Sequence, residues 1–372
     1  MIPMVQFPRV QFDFGALASL PSELAALGVT RPLLVTDQGL IKHGLVDRMR
    51  HSIGQTQTLV LFADVPENPT AAAVEAGVSR FKNEACDGVV ALGGGSVIDA
   101  SKAIALCATH SGMLDDYFGR PEKITPHVAP LIAIPTTAGT GSEASRGAGI
   151  HPTATSRARA VGSPYLVPKV AICDPELTFT LPPHLTAGTG MDALTHCIEG
   201  FLSNAVNPPV DAIALSGVRR VATYLERVVS DGSDREARWQ MMMAALEGGM
   251  ALAKSPGPAH AVANTLGDRG LHHGVLVTLA MPHVLRCLAP HVGEKLEQLA
   301  HALMAKPGEG AADVVENLAR RVGLPRTVRA MGYAPSDLDE MAADAAASFF
   351  NLRSPYRPTT HEYKTIIAEL LR

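Results

Sequence analysis

A fully apolar run, Gly88-Val89-Val90-Ala91-Leu92, breaks on the bare turn Gly93-Gly94-Gly95-Ser96 and passes at residue 97 into a helical pattern that continues to 108. Strand, glycines and helix in that order form a phosphate cradle. Glycines let the backbone come close to a pyrophosphate, and a helix N-terminus aims free N–H groups and positive dipole charge at it. The usual dinucleotide fingerprint GxGxxG is not satisfied, because Ile98 stands where the third glycine would fall. The same glycines would also serve a plain tight strand-to-helix connection, so the surrounding segments have to decide.

Val10, Phe12 and Phe14 alternate with Gln11 and Asp13, a strand pattern within residues 1–14, and a short helix follows from Pro21 to a stop at Gly28. Residues 32–36 read as a buried strand that stops at Asp37. An acidic residue just past a strand in a nucleotide fold accepts hydrogen bonds from adenosine ribose hydroxyls and repels a 2′-phosphate, favouring NAD over NADP. An aspartate closing an ordinary turn is the competing reading. A strand at 58–62, the turn Pro66-Glu67-Asn68-Pro69-Thr70 and a helix at 71–83 lead up to the cradle. Beyond it, a strand at 131–134 ends on Pro135-Thr136-Thr137-Ala138-Gly139-Thr140-Gly141-Ser142, whose hydroxyls could hold phosphate or ribose oxygens without burying a charge. A last strand at 170–173 precedes Leu181-Pro182-Pro183, which reads as a linker.

Past the linker the period changes from strands to helices, expected at 210–229, 235–254, 274–288, 294–304, 311–322, 336–347 and 360–371. Thr359 with Glu362 fits a capping box, and Ser336 with Asp339 is a weaker copy. The expected architecture is an α/β dinucleotide-binding domain over residues 1–183 and an all-helical, metal-binding domain over 184–372. With 47% hydrophobic and 18% charged residues, a chain of 372 residues can bury two sizeable cores. A net charge of −4 without a long basic run sets nucleic acid aside. Five scattered cysteines without a CxxC pair point to reduced core residues and a cytoplasmic location. Neither a signal peptide nor an uncharged run long enough to span a bilayer is recognised, so no membrane partner is expected.

The helical half opens with GMDALTHCIEG at 190–200, read as the start of a helix. Asp192 and His196, at i and i+4, share a helix face roughly 5–6 Å apart at Cβ and can point at one ion. His260 follows Ser255-Pro256-Gly257-Pro258 near the start of another helix, and His273 precedes Gly274, where a further one begins. The resulting Asp/His/His/His set suits Fe(II) or Zn(II) with a position open for a substrate oxygen. Because His272 adjoins His273, spacing alone leaves open which of the two binds. An ion there would polarise a carbonyl and lower the barrier to hydride transfer at the attached carbon.

GGGSVIDASK at 93–102, PTTAGTGSEAS at 135–145, GMDALTHCIEG and the segment from HAVANTLG to HHG resemble the iron-containing alcohol dehydrogenase family, in the right order and from about Phe7 to the C-terminus. That resemblance implies a dehydroquinate synthase-like fold and a metal-dependent, NAD(H)-linked alcohol dehydrogenase or aldehyde reductase, homodimeric and acting on a small alcohol or aldehyde. It implies the ligands Asp192, His196, His260 and His273, with Fe(II) preferred to Zn(II). It implies cofactor contacts at Asp37, Asn68, Gly94, Gly95, Ser96, Asp99, Thr136, Thr137, Thr140 and Ser145. Two positions depart from the family. Many members carry a histidine four residues after the third ligand, where this chain has Asn264, which cannot relay a proton by titrating. A water, a cofactor hydroxyl or a nearby group such as His272 would then serve the proton. The family's nicotinamide-side lysine aligns with Ala158, between Arg157 and Arg159. A metal-free reductase resembling maleylacetate reductase is the alternative enzyme, although such proteins tend to carry Asn at the position of Asp192. A lyase resembling dehydroquinate synthase and a polyol dehydrogenase resembling glycerol dehydrogenase fit GMDALTH less well. A catalytically silent NAD- and metal-binding regulator is the alternative of another class.

Overall fold

The computed structural model describes residues 7–53, 58–154, 156–267, 272–332 and 337–372. Two compact units emerge: the described residues of Gln6–Thr137 with Ser142–Phe179, and those of Ala138–Gly141 with Thr180–Arg372. In the first unit the strands are β1 (Arg9–Phe12), β2 (Pro32–Val35), β3 (Val60–Phe62), β4 (Gly88–Gly93), β5 (Leu131–Pro135), β6 (Gly147–Ile150), β7 (Arg159–Gly162) and β8 (Val170–Cys173). Six of them form one sheet in the order β1-β8-β5-β4-β2-β3, parallel at every pairing, and β6 pairs with β7 antiparallel in a separate ribbon.

Apolar runs in the central strands follow from cover on both faces. Leu33, Val35, Val89, Ala91, Leu131 and Ala133 join one core with Val74, Phe81 and Ile104 from the helices Ala71–Asn83 and Gly95–Thr109. Leu34, Val90, Leu92, Ile132 and Ile134 join another with Leu20, Leu24, Val46, Met49 and Ile53 from Leu20–Leu27 and Leu45–Ile53. Each fully buried Val, Leu or Ile contributes about 1.5–3 kcal/mol. From β2 the chain moves outward to β3 and then returns to the other side of β2 to form β4. The order therefore reverses between β2 and β4, and the crevice outside the carboxyl ends of such strands is where open α/β sheets bind ligands.

Among the described residues, the second unit consists of helices and turns. Of Leu181-Pro182-Pro183, expected as a linker, Leu181 and Pro182 precede the helix Pro183–Leu202 and Pro183 is already its first residue, where its missing N–H costs nothing. The stretch 190–200 thus lies in the middle and later turns of the helix rather than at its beginning. Every residue from Thr186 to Leu202 is buried, and a Cβ on Gly190 would come within 2.4 Å of Leu225 Cδ1. The flanking helices Pro208–Ser230 and Arg235–Ala251 pack that closely only because Gly190 has no side chain. His273–Val292 has the length and hydropathy of a membrane span, but 67% of its apolar window is buried inside the protein, as in a core helix. Thr359 and Glu362 do form a capping box. Ser336 lies outside the described residues, and Asp337 caps the helix Leu338–Ala347 by accepting from Glu340 N–H at 3.0 Å.

The sequence reading passed over the helices Gln38–Lys42 and Leu45–Ile53 and the ribbon β6–β7. The first is five residues with no buried face, and β6, Gly-Ala-Gly-Ile, carries too little side chain to show a period of two.

Candidate functional site

In the sheet unit, the carboxyl ends of β2 and β4 bring the expected dinucleotide residues to the switch point. Asp37 follows β2 and caps Gln38–Lys42, its Oδ1 accepting from Leu40 N–H at 2.9 Å. Gly94, in extended conformation, is the N-cap of Gly95–Thr109, and it offers no side chain to cap the helix. A Cβ on Gly94 would stand 3.3 Å from Thr137 Cγ2, so the ends of β4 and β5 meet at bare backbone. The free N–H groups of the first turn face outward from this point with the positive end of the helix dipole. Thr136, buried, continues β5 by donating its N–H to Gly93 O at 3.1 Å. Ser96 donates to Glu67 O, and Asn68 is exposed in the turn after β3.

Asp99 and Ser145 belong to a network around Lys102, which sequence reasoning passed over. Lys102 is fully buried and places all three donors: on Ser142 Oγ at 2.8 Å, Ser145 Oγ at 3.1 Å and Gly147 O at 2.7 Å. Asp99 lies 3.8 Å from the ammonium and accepts from Ser142 Oγ and, at 2.8 Å, from Gly149 N–H. Burial pulls Lys102 down to about 8, with Asp99 as the largest counterweight. The network fixes residues 142–149 to the helix that begins at the cradle. Ala158 approaches the same place, since a Cβ on Gly149 would stand 3.8 Å from Asp99 Oδ2 and 4.0 Å from Ala158 Cβ. The signal in the sequence was a lysine at i+3 from Asp99 on a helix otherwise apolar on that face.

In the helical unit, Asp192, His196, His260 and His273 converge. The Nε2 atoms of His196, His260 and His273 lie 3.7, 3.9 and 4.0 Å from one atom, Asp192 Oδ1. These separations exceed hydrogen bonds and suit groups arranged around one centre. Ligand atoms of Asp192, His260 and His273 all stand within 4.8 Å of one another. Asp192 Oδ1 and His260 Nε2 are buried without a hydrogen-bond partner, a state that costs about 1–3 kcal/mol for each group. A divalent cation satisfies both, and one carboxylate with three imidazoles is a donor set for Zn(II) or Fe(II). His196 and His260 stack with ring centroids 4.7 Å apart. Burial, then the neighbouring His260, lowers His196 to about 3, which keeps its ring neutral and its lone pair available. His273 is pushed down by desolvation too, although 49% of its side chain reaches solvent.

Thr140 sits in 138–141, which belongs to this helical unit. Next to it, Gly141 (φ 61°) passes so close to Gly249 that a Cβ would fall 2.3 Å from Gly249 Cα. His272 occupies the N-cap position of His273–Val292 without a side-chain capping hydrogen bond, and its Nδ1 is buried without a hydrogen-bond partner. Asn264 lies one turn after His260 on Pro258–Gly267 and is half-buried. Phe350 flanks His260 with ring centroids 6.0 Å apart.

Glu199 was quoted within the motif but given no role. Its side chain is 2% exposed, and Oε2 meets His260 Nδ1 at 2.6 Å. Asp192, His196 and Glu199 follow one another at i, i+4 and i+7 on a single buried helix face, the pattern that marks Glu199 in the sequence.

The model of the iron-containing alcohol dehydrogenase family matches residues 8–175, and that of the C-terminal part of the Fe-containing alcohol dehydrogenase family matches residues 186–371. The chain is 42% identical over 374 residues to 4-hydroxybutyrate dehydrogenase of Cupriavidus necator, covering 97% of both chains. It is 34% identical over 384 residues to 1,3-propanediol dehydrogenase of Klebsiella pneumoniae, covering 99% of this chain and 97% of the relative. A crystal structure of 1,3-propanediol oxidoreductase superimposes with a TM-score of 0.95 at 33% identity over all of both chains. That of an iron-containing alcohol dehydrogenase from Thermotoga maritima does so with a TM-score of 0.87 at 28% identity over 99% of both.

Proposed function

Since the chain belongs to the iron-containing alcohol dehydrogenase family, and is an oxidoreductase of that kind, we propose that it passes hydride between NAD(H) and a small primary alcohol or its aldehyde, with a divalent ion held by Asp192, His196, His260 and His273. The observation that carries this reading is the approach of three imidazole nitrogens to within 3.7–4.0 Å of one buried carboxylate oxygen. When bound, the ion supplies Lewis acidity toward the substrate oxygen and NAD supplies the hydride acceptor. Fe(II) is the ion of choice over Zn(II), on family membership alone, and homodimeric assembly rests on the same ground.

The chain's own residues supply position. Gly94 and Gly95 leave the first turn of Gly95–Thr109 open to a pyrophosphate. Asp37, just past β2, would accept ribose hydroxyls and repel a 2′-phosphate. Lys102 holds residues 142–149 through Ser142, Ser145 and Gly147. Phe350 stands beside His260, with ring centroids 6.0 Å apart. Asn264 offers an amide that donates to an oxygen and accepts from a hydroxyl without titrating. The names of the two relatives, one acting on a hydroxy acid and one on a diol, favour a short substrate with a second oxygen function.

The test is NADH and NADPH oxidation against simple aldehydes, 4-oxobutyrate, 3-hydroxypropanal and an unsaturated keto acid, on chelator-stripped protein with Fe(II), Zn(II) or no metal returned. Aldehyde turnover restored by metal, with NADH favoured at least about tenfold, equivalent to about 1.4 kcal/mol, is expected. Equal rates without metal on the unsaturated keto acid would move the protein to the metal-free reductases.

A further inference from the structure

We infer that Glu199 is a positioning residue that fixes the tautomer and orientation of His260, and with them the affinity of the site for its divalent ion. The inference rests on the metal site proposed above. Glu199 and His260 come from different helices, Pro183–Leu202 and Pro258–Gly267, and the carboxylate joins them. Three donors converge on its two oxygens: Gly257 N–H on Oε2 at 2.6 Å, Ala259 N–H on Oε1 at 2.6 Å and His260 Nδ1 on Oε2 at 2.6 Å. Pro258, lying between the two amides, has no N–H. A carboxylate from another helix therefore caps the first turn of Pro258–Gly267, at the positive end of its dipole.

Tautomer follows from this geometry. An ionised carboxylate only accepts hydrogen bonds, so Nδ1 of His260 carries the hydrogen and donates it. In the neutral ring Nε2 is then left as the lone-pair nitrogen, and Nε2 is the atom that stands 3.9 Å from Asp192 Oδ1 with no partner. Position follows as well, because Asp192, His196 and Glu199 occupy one helix face and the Glu199 bond registers His260 against the two ligands of that helix. Gly257 is part of the device: a Cβ there would stand 2.9 Å from Glu199 Oε1 and 3.0 Å from Cδ.

Glu199→Gln removes one acceptor oxygen at nearly constant volume. The amide then either faces its NH2 toward a backbone N–H or donates to Nδ1 of His260. In the second case the ring proton moves to Nε2 and the lone pair leaves the ion site. Outer carboxylate partners of metal-bound histidines are worth about 10–100-fold in metal affinity. Competition between stripped protein and a chromophoric chelator for Zn(II) measures this, with two-bond 1H–15N spectra of the imidazoles reporting the tautomer of His260. Expected for E199Q are Zn(II) affinity lower by about 10–100-fold and a loss of the single Nδ1–H form in the metal-free protein. Gly257→Ala, which crowds the carboxylate and keeps its charge, moves the affinity in the same direction. Glu247→Gln is the control for loss of a buried carboxylate: Glu247 pairs with Arg220 and Ser216, and its removal leaves Zn(II) affinity unchanged. Wild-type affinity and tautomer in E199Q, or an equal loss in E247Q, overturn the inference. Failure of the wild-type protein to take up Zn(II) would instead overturn the metal site itself.

Discussion

The candidate ion site and the proposed nucleotide crevice are built on different plans. In the helical unit, side-chain atoms wait without partners: Asp192 Oδ1 and His260 Nε2 are buried and unbonded, in a cluster held by rigid helix positions. Around the crevice in the sheet unit, most of the expected contact side chains are already engaged, although Thr36 Oγ1 and Glu143 Oε1 are also buried without a hydrogen-bond partner. Asp37 caps a helix, Ser96 donates to Glu67 O, and Asp99, Ser142 and Ser145 are tied to Lys102. What stays open for a pyrophosphate there is backbone, at the N-cap Gly94 and at Gly95, the first residue of a fifteen-residue helix. On the proposed function, an ion would be recognised by the chemistry of a few side-chain atoms, and a dinucleotide mainly by the shape and dipole of a turn. Substitutions should divide accordingly.

The largest effect is expected at the ion site. Asp192→Asn keeps the volume, removes the shared oxygen's charge, and should lower kcat by on the order of 10³-fold, with bound metal lost in parallel. Normal metal content and turnover in that variant would break the comparison at once. Gly94→Val comes next: it places a branched side chain against Thr137 and over the first turn, so KM for NADH should rise by at least about tenfold while stripped protein still takes up Zn(II). A change in metal affinity without a change in KM would reverse the assignment of roles. Asp37→Ser sharpens the point, because serine keeps a capping oxygen and discards the charge. The ratio of kcat/KM for NADPH to that for NADH should increase about tenfold with Tm nearly unchanged. A fall in Tm with no change in the ratio would make Asp37 a cap and nothing more.

The smallest effect concerns Lys102. Its pKa is about 8 in the folded protein and about 10.5 in the unfolded chain. Between those values the unfolded chain holds a proton that the folded protein has released, so stability rises with pH across that window. Relative to Lys102→Met, the urea midpoint of the wild type should increase from about pH 8 to about pH 10. A constant difference would show that Lys102 keeps its proton throughout.

Legibility in the sequence followed the same division. The strand-glycine-helix passage at 88–108 and the i,i+4 pair Asp192/His196 are local patterns, and the structure contains both as elements. The start of the helix at Pro183 was not legible because proline marks both a linker and the first position of a helix, and sequence alone does not separate the two. Glu199 and Lys102 escaped notice because their roles depend on partners far along the chain, 61 residues away for His260 and 40 for Ser142. Spacing left His272 and His273 open, the family resemblance implied His273, and the geometry of the fold agrees with that choice. His272 is the N-cap and His273 the first residue of the same helix, yet His273 Nε2 approaches Asp192 while the His272 ring lies against Gly188.

The central claim is that the four converging side chains hold one ion on which hydride transfer depends. Titrating Fe(II) anaerobically into chelator-stripped protein, while following NADH oxidation with an aldehyde, tests it directly. The account predicts no turnover at the start, a linear rise and a break at one ion per chain, with Asp192→Asn flat throughout. Full turnover before any metal is added, or an identical titration in Asp192→Asn, would contradict it.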